Sequence, residues 1–138
     1  MRALLTHSKR YKVTITGLAT RPDSIKPEPV TETEQSSEKC VVVFVCIEAK
    51  DTPELAKQLG REVELMMQDV GDKKVVLVPF AHLSSNLASS ELAIEVLNAL
   101  QNALASHNPL RSHFGSDKAF SIDFLGHPGN IRFREFKP

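Results

Sequence analysis

An uninterrupted run of eight apolar residues, Cys40–Ile47, constrains the fold of this chain most strongly. Valine is the commonest residue in the run, and polar residues do not alternate with apolar ones as they would in a strand with one face in water. This pattern predicts a central β-strand that is buried on both of its faces. The core of the protein is therefore expected to form around this strand.

Two amphipathic helices are predicted after the central strand. The first is expected to begin at Asp51–Glu54, where a capping residue, a proline and an early acid occur together, and to end at Gly71. Between these points, apolar residues recur at helical spacing, so one face of the helix should pack on the sheet. The second helix is expected to begin at Ser89 or Ser90 and to run to about Ser106.

The remaining apolar segments are short, and they either alternate with polar residues or are continuously buried, as β-strands do. These predicted strands are Arg2–Thr6, Tyr11–Thr16, Val75–Val78, Lys118–Leu125 and a last strand that contains Ile131 and Phe133. The resulting order predicts a mixed α/β fold, in which a mixed β-sheet carries two main helices. The central β-α-β-α-β part should pair in parallel, and the strands at either end should pair antiparallel.

Residues 17–39 contain one glycine and three prolines, followed by a stretch with almost no apolar residue. They are predicted to form a loop, which is longer than most connections in a compact domain and is therefore either functional or disordered. The chain has apolar sequence for only one core, so residues 1–138 are expected to form a single domain.

Composition excludes several classes of protein. The chain has 17 basic and 17 acidic residues, and this balance argues against a strong nucleic-acid binder of the histone type and against DNA as a partner. Residues 1–20 and 111–138 are locally basic and could form a local phosphate-facing patch if the fold brought them together, although composition alone favours an ordinary mixed surface. No apolar run approaches the ~20 residues that span a bilayer, and no signal peptide precedes the first strand. We therefore expect a cytoplasmic protein with no membrane partner, in which Cys40 and Cys46 are free thiols.

Two basic side chains are candidates for chemistry. His82 directly follows the predicted strand Val75–Val78, and the carboxyl end of a parallel strand is where open α/β sheets place their sites. Histidine there could exchange protons near neutral pH, although loop histidines often have only structural partners. Lys118 begins a strand and could hold a fixed cation near developing negative charge, although such lysines are usually only solvated.

Phe114 and His127 are weaker candidates. Phe114 precedes a glycine on a loop and could stack on a nucleic-acid base, but its sequence position alone favours an ordinary core role. His127 lies in a turn between two strands, where it could serve a site or satisfy backbone carbonyls. Neither a clustered set of metal ligands nor a glycine-rich phosphate loop occurs, so neither a metal nor a nucleotide cofactor is expected.

Four short motifs occur in order along the chain. They are Val-Pro-Phe-Ala-His-Leu-Ser-Ser at residues 78–85, Phe114-Gly115, Lys118-Ala119-Phe120 and Gly126-His127-Pro128. With the opening segment Arg2–Ser8 and the strand Cys40–Glu48, this set resembles the N-terminal editing domain of archaeal threonyl-tRNA synthetases.

The resemblance implies a fold like that of D-aminoacyl-tRNA deacylases, and a homodimer. It implies hydrolysis of the ester in mischarged L-seryl-tRNA(Thr), with the 3′ end of that tRNA as partner, the ribose 2′-hydroxyl assisting, and neither metal nor cofactor. The domain would then be the N-terminal part of a longer synthetase or editing protein. His82 and Lys118 match the catalytic residues of the family. The positions that match its substrate pocket are Ile47, Pro79, Phe80, Ala81, Ala93, Phe114 and His127.

The chain departs from the family pattern at two points. Ile131 stands where the family usually has a glutamate that faces the substrate, and Ser116-Asp117 stands where aromatic residues are frequent. Asp117 and Glu135 are candidates to supply the missing carboxylate. Two alternatives remain open at this stage, namely a D-aminoacyl-tRNA deacylase and a tRNA-binding or dimerisation module without catalytic activity.

Overall fold

The computed structural model describes residues 1–138 and contains six strands, two helices and two short 3₁₀ turns. In chain order the strands and helices are β1 (Arg2–Leu18), β2 (Glu34–Cys46), α1 (Pro53–Val70), β3 (Val75–Pro79), α2 (Ser90–Ala103), β4 (Leu110–Arg111), β5 (Ser116–Phe124) and β6 (Ile131–Glu135).

All six strands join one sheet in the order β4-β3-β2-β1-β5, and β6 also pairs with β1. The strands β2, β3 and β4 run parallel, whereas β1 pairs antiparallel with β2, β5 and β6. The predicted mixed sheet with parallel pairing at its centre is therefore confirmed. The third parallel strand is the two-residue β4, however, and not the later strand that the sequence indicated. The prediction missed β4 because two residues carry no measurable periodicity.

The two strands predicted at the start of the chain form one continuous strand, β1. Its first part pairs with β6 and its second part with β5, and the register against β5 shifts between Ser8 and Arg10. This irregularity interrupts the apolar alternation along the strand, which is why the sequence pattern predicted two separate strands.

The central strand β2 begins at Glu34, six residues before the predicted start at Cys40. The predicted 17–39 loop is correspondingly shorter, because β1 extends to Leu18 and the connection between the strands covers residues 19–33. The extra residues of β2 are polar and largely accessible, and they form a strand because they pair with residues 10–14 of β1. Cys40–Cys46 are fully or almost fully buried, as predicted.

Both helices lie close to their predicted positions. α1 has Pro53 in its first turn, and it ends at Gly71, which has a positive φ of 75° and donates its N–H to the carbonyl of Met67. α2 begins after Ser89, whose hydroxyl accepts the N–H of Leu92, and it ends three residues before the predicted limit. A 3₁₀ turn follows α2 directly.

The two faces of the sheet enclose two separate cores. The larger core combines both helices with the face that includes Val43 and Leu77. The smaller core holds strand residues alone, among them Tyr11, Val42 and Val76. These side chains are buried without a covering helix because the sheet curls. Gln35 at the start of β2 accordingly donates to the carbonyl of Arg111 in β4, although β3 lies between the two strands. Neither helix is both long and apolar enough to cross a membrane.

Candidate active site

A cavity of about 490 Å³ opens where the carboxyl ends of β2 and β3 meet the beginning of β5. The first part of the 19–33 loop forms one wall, and residues 87–90 before α2 form another. In the register of the sheet, Ser116 pairs with Leu18 and Glu34 pairs with Thr14, so the start of β5 lies toward the amino end of β2. The curl of the sheet brings it to the carboxyl ends of β2 and β3. Such an edge is where open α/β sheets bind ligands.

All of the predicted site residues except His127 line this cavity. They are His82, Lys118, Ile47, Pro79, Phe80, Ala81, Ala93 and Phe114. The two candidate catalytic residues belong to different elements, since His82 lies on the turn after β3 and Lys118 lies on β5. These strands are separated in the sheet by β2 and β1, so the sequence alone does not place them together.

His82 is exposed on a 3₁₀ turn that spans Ala81–Leu83, and its ring meets the ring of Phe80 edge-on at a centroid distance of 4.9 Å. The turn is fixed at both ends. The N–H of Phe80 donates to the carbonyl of Val45 at 2.9 Å, and Arg2 Nη1 donates to the carbonyl of Leu83 at 2.9 Å. These backbone hydrogen bonds fix the turn at the cavity, and neither ring nitrogen of His82 takes part in them.

Ser84 follows the His82 turn and serves as a structural anchor. Its hydroxyl donates to Glu48 Oε2 at 2.6 Å and accepts the N–H of Asn86 at 3.0 Å. The hydrogen bond from Ser84 lowers the pKa of Glu48, and the nearby amino group of Met1 adds to this effect.

Lys118 lies on β5 opposite Ile15 of β1, and its only hydrogen bond is a long one, 3.5 Å, from Nζ to the carbonyl of Ser116. Burial lowers the pKa of the Lys118 ammonium to about 8, although the charges of Glu28 and Asp117 oppose this change. A lysine that is removed from water without a direct acid partner binds an anionic group more strongly than a solvated lysine does.

The inner part of the cavity is apolar and tightly packed. Ile47 and Ala93 are only 7% and 6% exposed. Phe80 is held by an edge-to-face contact with Phe44, with ring centroids 5.1 Å apart. Phe114 is half-buried and packs against the larger core. The cavity thus combines a rigid apolar floor with a rim that carries His82 and Lys118.

Several lining residues were not expected from the sequence. Arg21 belongs to the 19–33 loop, and Cys46, Gly115 and Phe120 also reach the cavity. Asp117, by contrast, was a candidate in the sequence, and it is the one acidic residue that lines the cavity. The sequence did not predict Arg21 at the cavity, because nothing in it indicated that this loop folds back over the ends of β2 and β3.

Residues 1–136 of the chain match the protein family described as the archaea-specific editing domain of threonyl-tRNA synthetase. The chain belongs to this family. Its relatives include the threonine–tRNA ligase of Caldivirga maquilingensis, which is 37% identical over 145 residues, and that of Thermococcus sibiricus, which is 32% identical over 135 residues. These matches cover 100% and 93% of the chain but only 23% and 21% of the ligases.

The fold of this editing domain also occurs in a solved structure of low sequence identity. The c-Myc DNA Unwinding Element Binding Protein superposes with a TM-score of 0.71 at 14% identity, over 100% of both chains. The expected mixed α/β, D-aminoacyl-tRNA deacylase-like fold is confirmed.

His127 is the one predicted site residue that the editing domain places elsewhere. Its Nε2 lies 2.6 Å from Nδ1 of His7, and its Nδ1 donates to the carbonyl of Pro128 at 2.9 Å. His7 is buried and bonds through Nε2 to the carboxylate of Asp72. The ring of His127 is therefore engaged by His7 and Pro128 rather than by the cavity.

Of the two candidates for the missing carboxylate, only Asp117 reaches the cavity. Glu135 instead accepts a hydrogen bond from Arg2 Nε at 2.9 Å on the outer surface. Ile131, at the position where the family usually has glutamate, begins β6 opposite Thr6 and is 47% exposed.

The two basic ends of the chain do meet, because β1 pairs with β5 and β6, but most of their arginines are neutralised within the domain. Arg2 pairs with Glu135, and the arginines of residues 111–138 each contact an acid. These pairs give the ordinary mixed surface that the composition favoured, rather than a local basic patch. No group of three or more His, Cys, Asp or Glu side chains is arranged to hold a metal ion.

Proposed function

We propose that this editing domain hydrolyses the ester bond of mischarged L-seryl-tRNA(Thr), without a metal, in the cavity that His82 and Lys118 share. One observation supports the proposal, namely that residues from five separate parts of the chain, which the resemblance assigned to a substrate pocket, line a single cavity. The partner is the 3′ end of tRNA(Thr), and the products are serine and the free tRNA.

In the proposed reaction a water molecule attacks the ester carbonyl carbon, and the bond between that carbon and the ribose oxygen then breaks. Negative charge develops first on the carbonyl oxygen and then on the leaving ribose oxygen. The Lys118 ammonium is suited to stabilise this charge because it is largely desolvated and has no direct acid partner. With a pKa of about 8, it is roughly nine-tenths charged at pH 7.

His82 and the neighbouring ribose 2′-hydroxyl have complementary parts in this proposal. His82 stands at the accessible rim, where it can orient the attacking water or the ribose. The 2′-hydroxyl lies next to the scissile ester in any aminoacyl-tRNA, and it can give its proton to the leaving oxygen while it takes up the proton released by the attacking water. A site that uses this group is also selective for RNA.

The floor of the cavity fits a small amino acid. A synthetic site for threonine discriminates against serine by only about 10–200-fold, since the two differ by one methyl group, so a second site that accepts serine is useful. Ile47 and Ala93 are buried, so moving them to make room for an additional methyl group would disturb the packing of the core. We propose that such a floor excludes threonine by steric clash.

Asp117 is proposed to bind the α-ammonium group of the seryl moiety, in place of the family glutamate. It is the one carboxylate that lines the cavity, and it precedes Lys118 directly. Substitution of Asp117 by Asn should weaken binding of the seryl group, whereas Glu135→Asn on the outer surface should not. Equal activity of both variants with the wild type would remove Asp117 from the proposal.

The domain is further proposed to act as a cytoplasmic homodimer. Phe124, Ile131 and Phe133 are 47%, 47% and 52% exposed along the edge strands β5 and β6, and such apolar exposure favours a partner surface. Light scattering after size-exclusion chromatography measures the mass directly, and a mass near 15.3 kDa at micromolar concentration would contradict the dimer.

The test of the function is deacylation of L-seryl-, L-threonyl- and D-seryl-tRNA(Thr) by the purified domain, in the presence of a chelator. Selective loss of L-serine is expected. Attack on the D-seryl ester would instead indicate a D-aminoacyl-tRNA deacylase. Binding of tRNA without hydrolysis would indicate a non-catalytic module, and Ile131 would then mark the loss of activity.

His82→Ala and Lys118→Ala should each lower hydrolysis of L-seryl-tRNA by at least about 100-fold, the usual effect of losing one charge-stabilising or proton-transferring group. Binding of tRNA should fall much less. His107→Ala and Lys39→Ala are the matched controls, since both residues lie away from the cavity. Wild-type turnover in either site variant would refute the role of that residue.

A further inference from the structure

The 19–33 loop is attached along its length to the segment Arg111–Gly115, which leads into β5. The N–H of Ala19 donates to the carbonyl of Gly115 at 2.9 Å, and the N–H of Glu28 donates to the carbonyl of Phe114 at 3.2 Å. His113 Nε2 donates to the carbonyl of Glu28 at 2.6 Å. The loop that forms a wall of the cavity is therefore held by a second segment that also lines it.

The side chain of Glu28 is the centre of this attachment. Its carboxylate accepts hydrogen bonds from both terminal nitrogens of Arg111 at 2.9 and 3.1 Å, and from the N–H of Phe114 at 2.8 Å. The side chains of Glu28 and Arg111 are only 18% and 14% exposed. Arg111 Nε is buried without a partner, so Glu28 is the carboxylate on which this guanidinium depends.

The approach of the two segments is as close as their backbones allow. Gly115 has a φ of +91°, and a Cβ atom added there would lie 2.6 Å from Pro27 Cα. Only glycine fits at this point. Pro27 precedes Glu28, and thus the contact at Gly115 and the hydrogen bonds of Glu28 act together on Phe114 and on the start of β5.

Glu28 also acts on the charge of Lys118. Its negative charge favours the ammonium form and opposes the effect of burial on the pKa of Lys118. Glu28 itself does not line the cavity. It therefore influences two residues of the site without any contact with a ligand there.

We propose that Glu28 is a positioning residue of the hydrolytic site, whose carboxylate fixes the 19–33 loop and Phe114 as a wall of the cavity beside Lys118. This inference rests on the proposed hydrolytic function. It assigns Glu28 a role through Phe114 and Lys118 and none in direct contact with the substrate.

The first experiment compares Glu28→Gln with Glu32→Gln, a matched control on the exposed part of the same loop. The pH dependence of kcat and KM is measured with L-seryl-tRNA(Thr). Glu28→Gln should lower kcat at pH 7.5 by at least about tenfold, and the decline of the rate at high pH should begin at lower pH, because an amide leaves the Lys118 ammonium less stabilised. Glu32→Gln should behave as the wild type.

A second readout does not depend on activity. The titration of Lys118 is followed by NMR of the labelled side-chain Cε, with Lys118→Met used to assign its signal. The midpoint should move to lower pH in Glu28→Gln and stay unchanged in Glu32→Gln. A midpoint that is unchanged or raised in Glu28→Gln, or a wild-type kcat, would overturn the inference.

Glu28→Gln leaves the charge of Arg111 without a partner and could unfold part of the domain, so the double variant Glu28→Gln/Arg111→Gln is included. It removes both charges and should unfold near the wild-type temperature yet remain slow. Wild-type turnover by the double variant would overturn the role of Glu28. If the wild type hydrolyses no aminoacyl-tRNA, the proposed function fails, and the Lys118 titration still decides whether Glu28 controls that charge.

Discussion

Lys118 should make the folded domain less stable at neutral pH, and replacing it by methionine should therefore stabilise the protein while it abolishes hydrolysis. Burial lowers the pKa of Lys118 from 10.5 to about 8. At 1.36 kcal/mol per pH unit this difference corresponds to roughly 3 kcal/mol. Since part of the side chain is still accessible to water, we expect about 2 kcal/mol of stabilisation in Lys118→Met at pH 7.

The sign of the effect sets its pH range. Below pH 8, Lys118 is charged in both the folded and the unfolded state, and the folded state bears the full cost of burying that charge. Between pH 8 and 10.5 the unfolded state binds more protons, so the stability of the wild type rises with pH. The advantage of Lys118→Met should therefore shrink across this range.

Other groups oppose this rise, but they do so equally in both proteins. Burial raises the pKa of Tyr11 from 10.0 to about 12 and also raises the pKa of the Cys40 and Cys46 thiols. Each of these groups is stabilising while neutral in the fold, and that contribution is lost as the pH rises above its unfolded pKa. Their contributions therefore cancel when the unfolding free energy of the wild type is subtracted from that of Lys118→Met.

The assay is urea unfolding of wild type, Lys118→Met and the surface control Lys39→Met at pH 7, 9 and 10.5, with deacylation measured on the same samples. The buried methyl of methionine adds an offset that does not depend on pH, so the change in the difference with pH is the decisive quantity. A constant difference, or a Lys118→Met protein that is less stable than the wild type at pH 7, would refute the reasoning.

Two further substitutions test contacts around the site. Gly115→Ala should cost about 2–4 kcal/mol and displace the 19–33 loop, because the new Cβ would meet Pro27 and the backbone has a positive φ, whereas Gly126→Ala has open space and should cost under about 1 kcal/mol. Equal thermal unfolding of the two would contradict this. His127→Ala should lower the unfolding free energy by about 1–3 kcal/mol, because it leaves a ring nitrogen of buried His7 without a partner. It should retain hydrolysis, and a loss of turnover in a stably folded variant would show that His127 reaches the substrate.

The sequence predicted those elements whose own residues specify their secondary structure without reference to distant parts of the chain. Cys40–Ile47 is a short, valine-rich apolar run that favours a buried strand, and α1 has both a helical apolar face and capping signals at its ends. The start of β2 at Glu34 could not be found in this way, because its polar residues are strand residues only through their pairing with β1. The two residues of β4 depend similarly on β3.

Site residues that belong to a local motif could be predicted from the sequence. Site residues that reach the cavity only through the pairing of distant strands could not. The turn that carries His82 follows a strand, and its position at the sheet edge could be inferred from that order alone. Asp117 and Glu135 were equivalent candidates in the sequence. The pairing of β5 and β6 with different parts of β1 separates them, and only Asp117 lies at the cavity.

The 19–33 loop shows why composition alone could not decide between function and disorder. Its prolines and polar residues bury little apolar surface, which is equally true of many mobile segments. It is ordered here because Glu28, Arg111 and the close contact of Pro27 with Gly115 supply specific partners from a distant part of the chain. Under the proposed function, the loop acts on the rim of the cavity, which carries His82 and Lys118, and not on the apolar floor. Size selection would then be a property of the packed strands and α2, whereas the charge that drives hydrolysis would be set by the loop, and substitutions in the two parts should change specificity and rate independently.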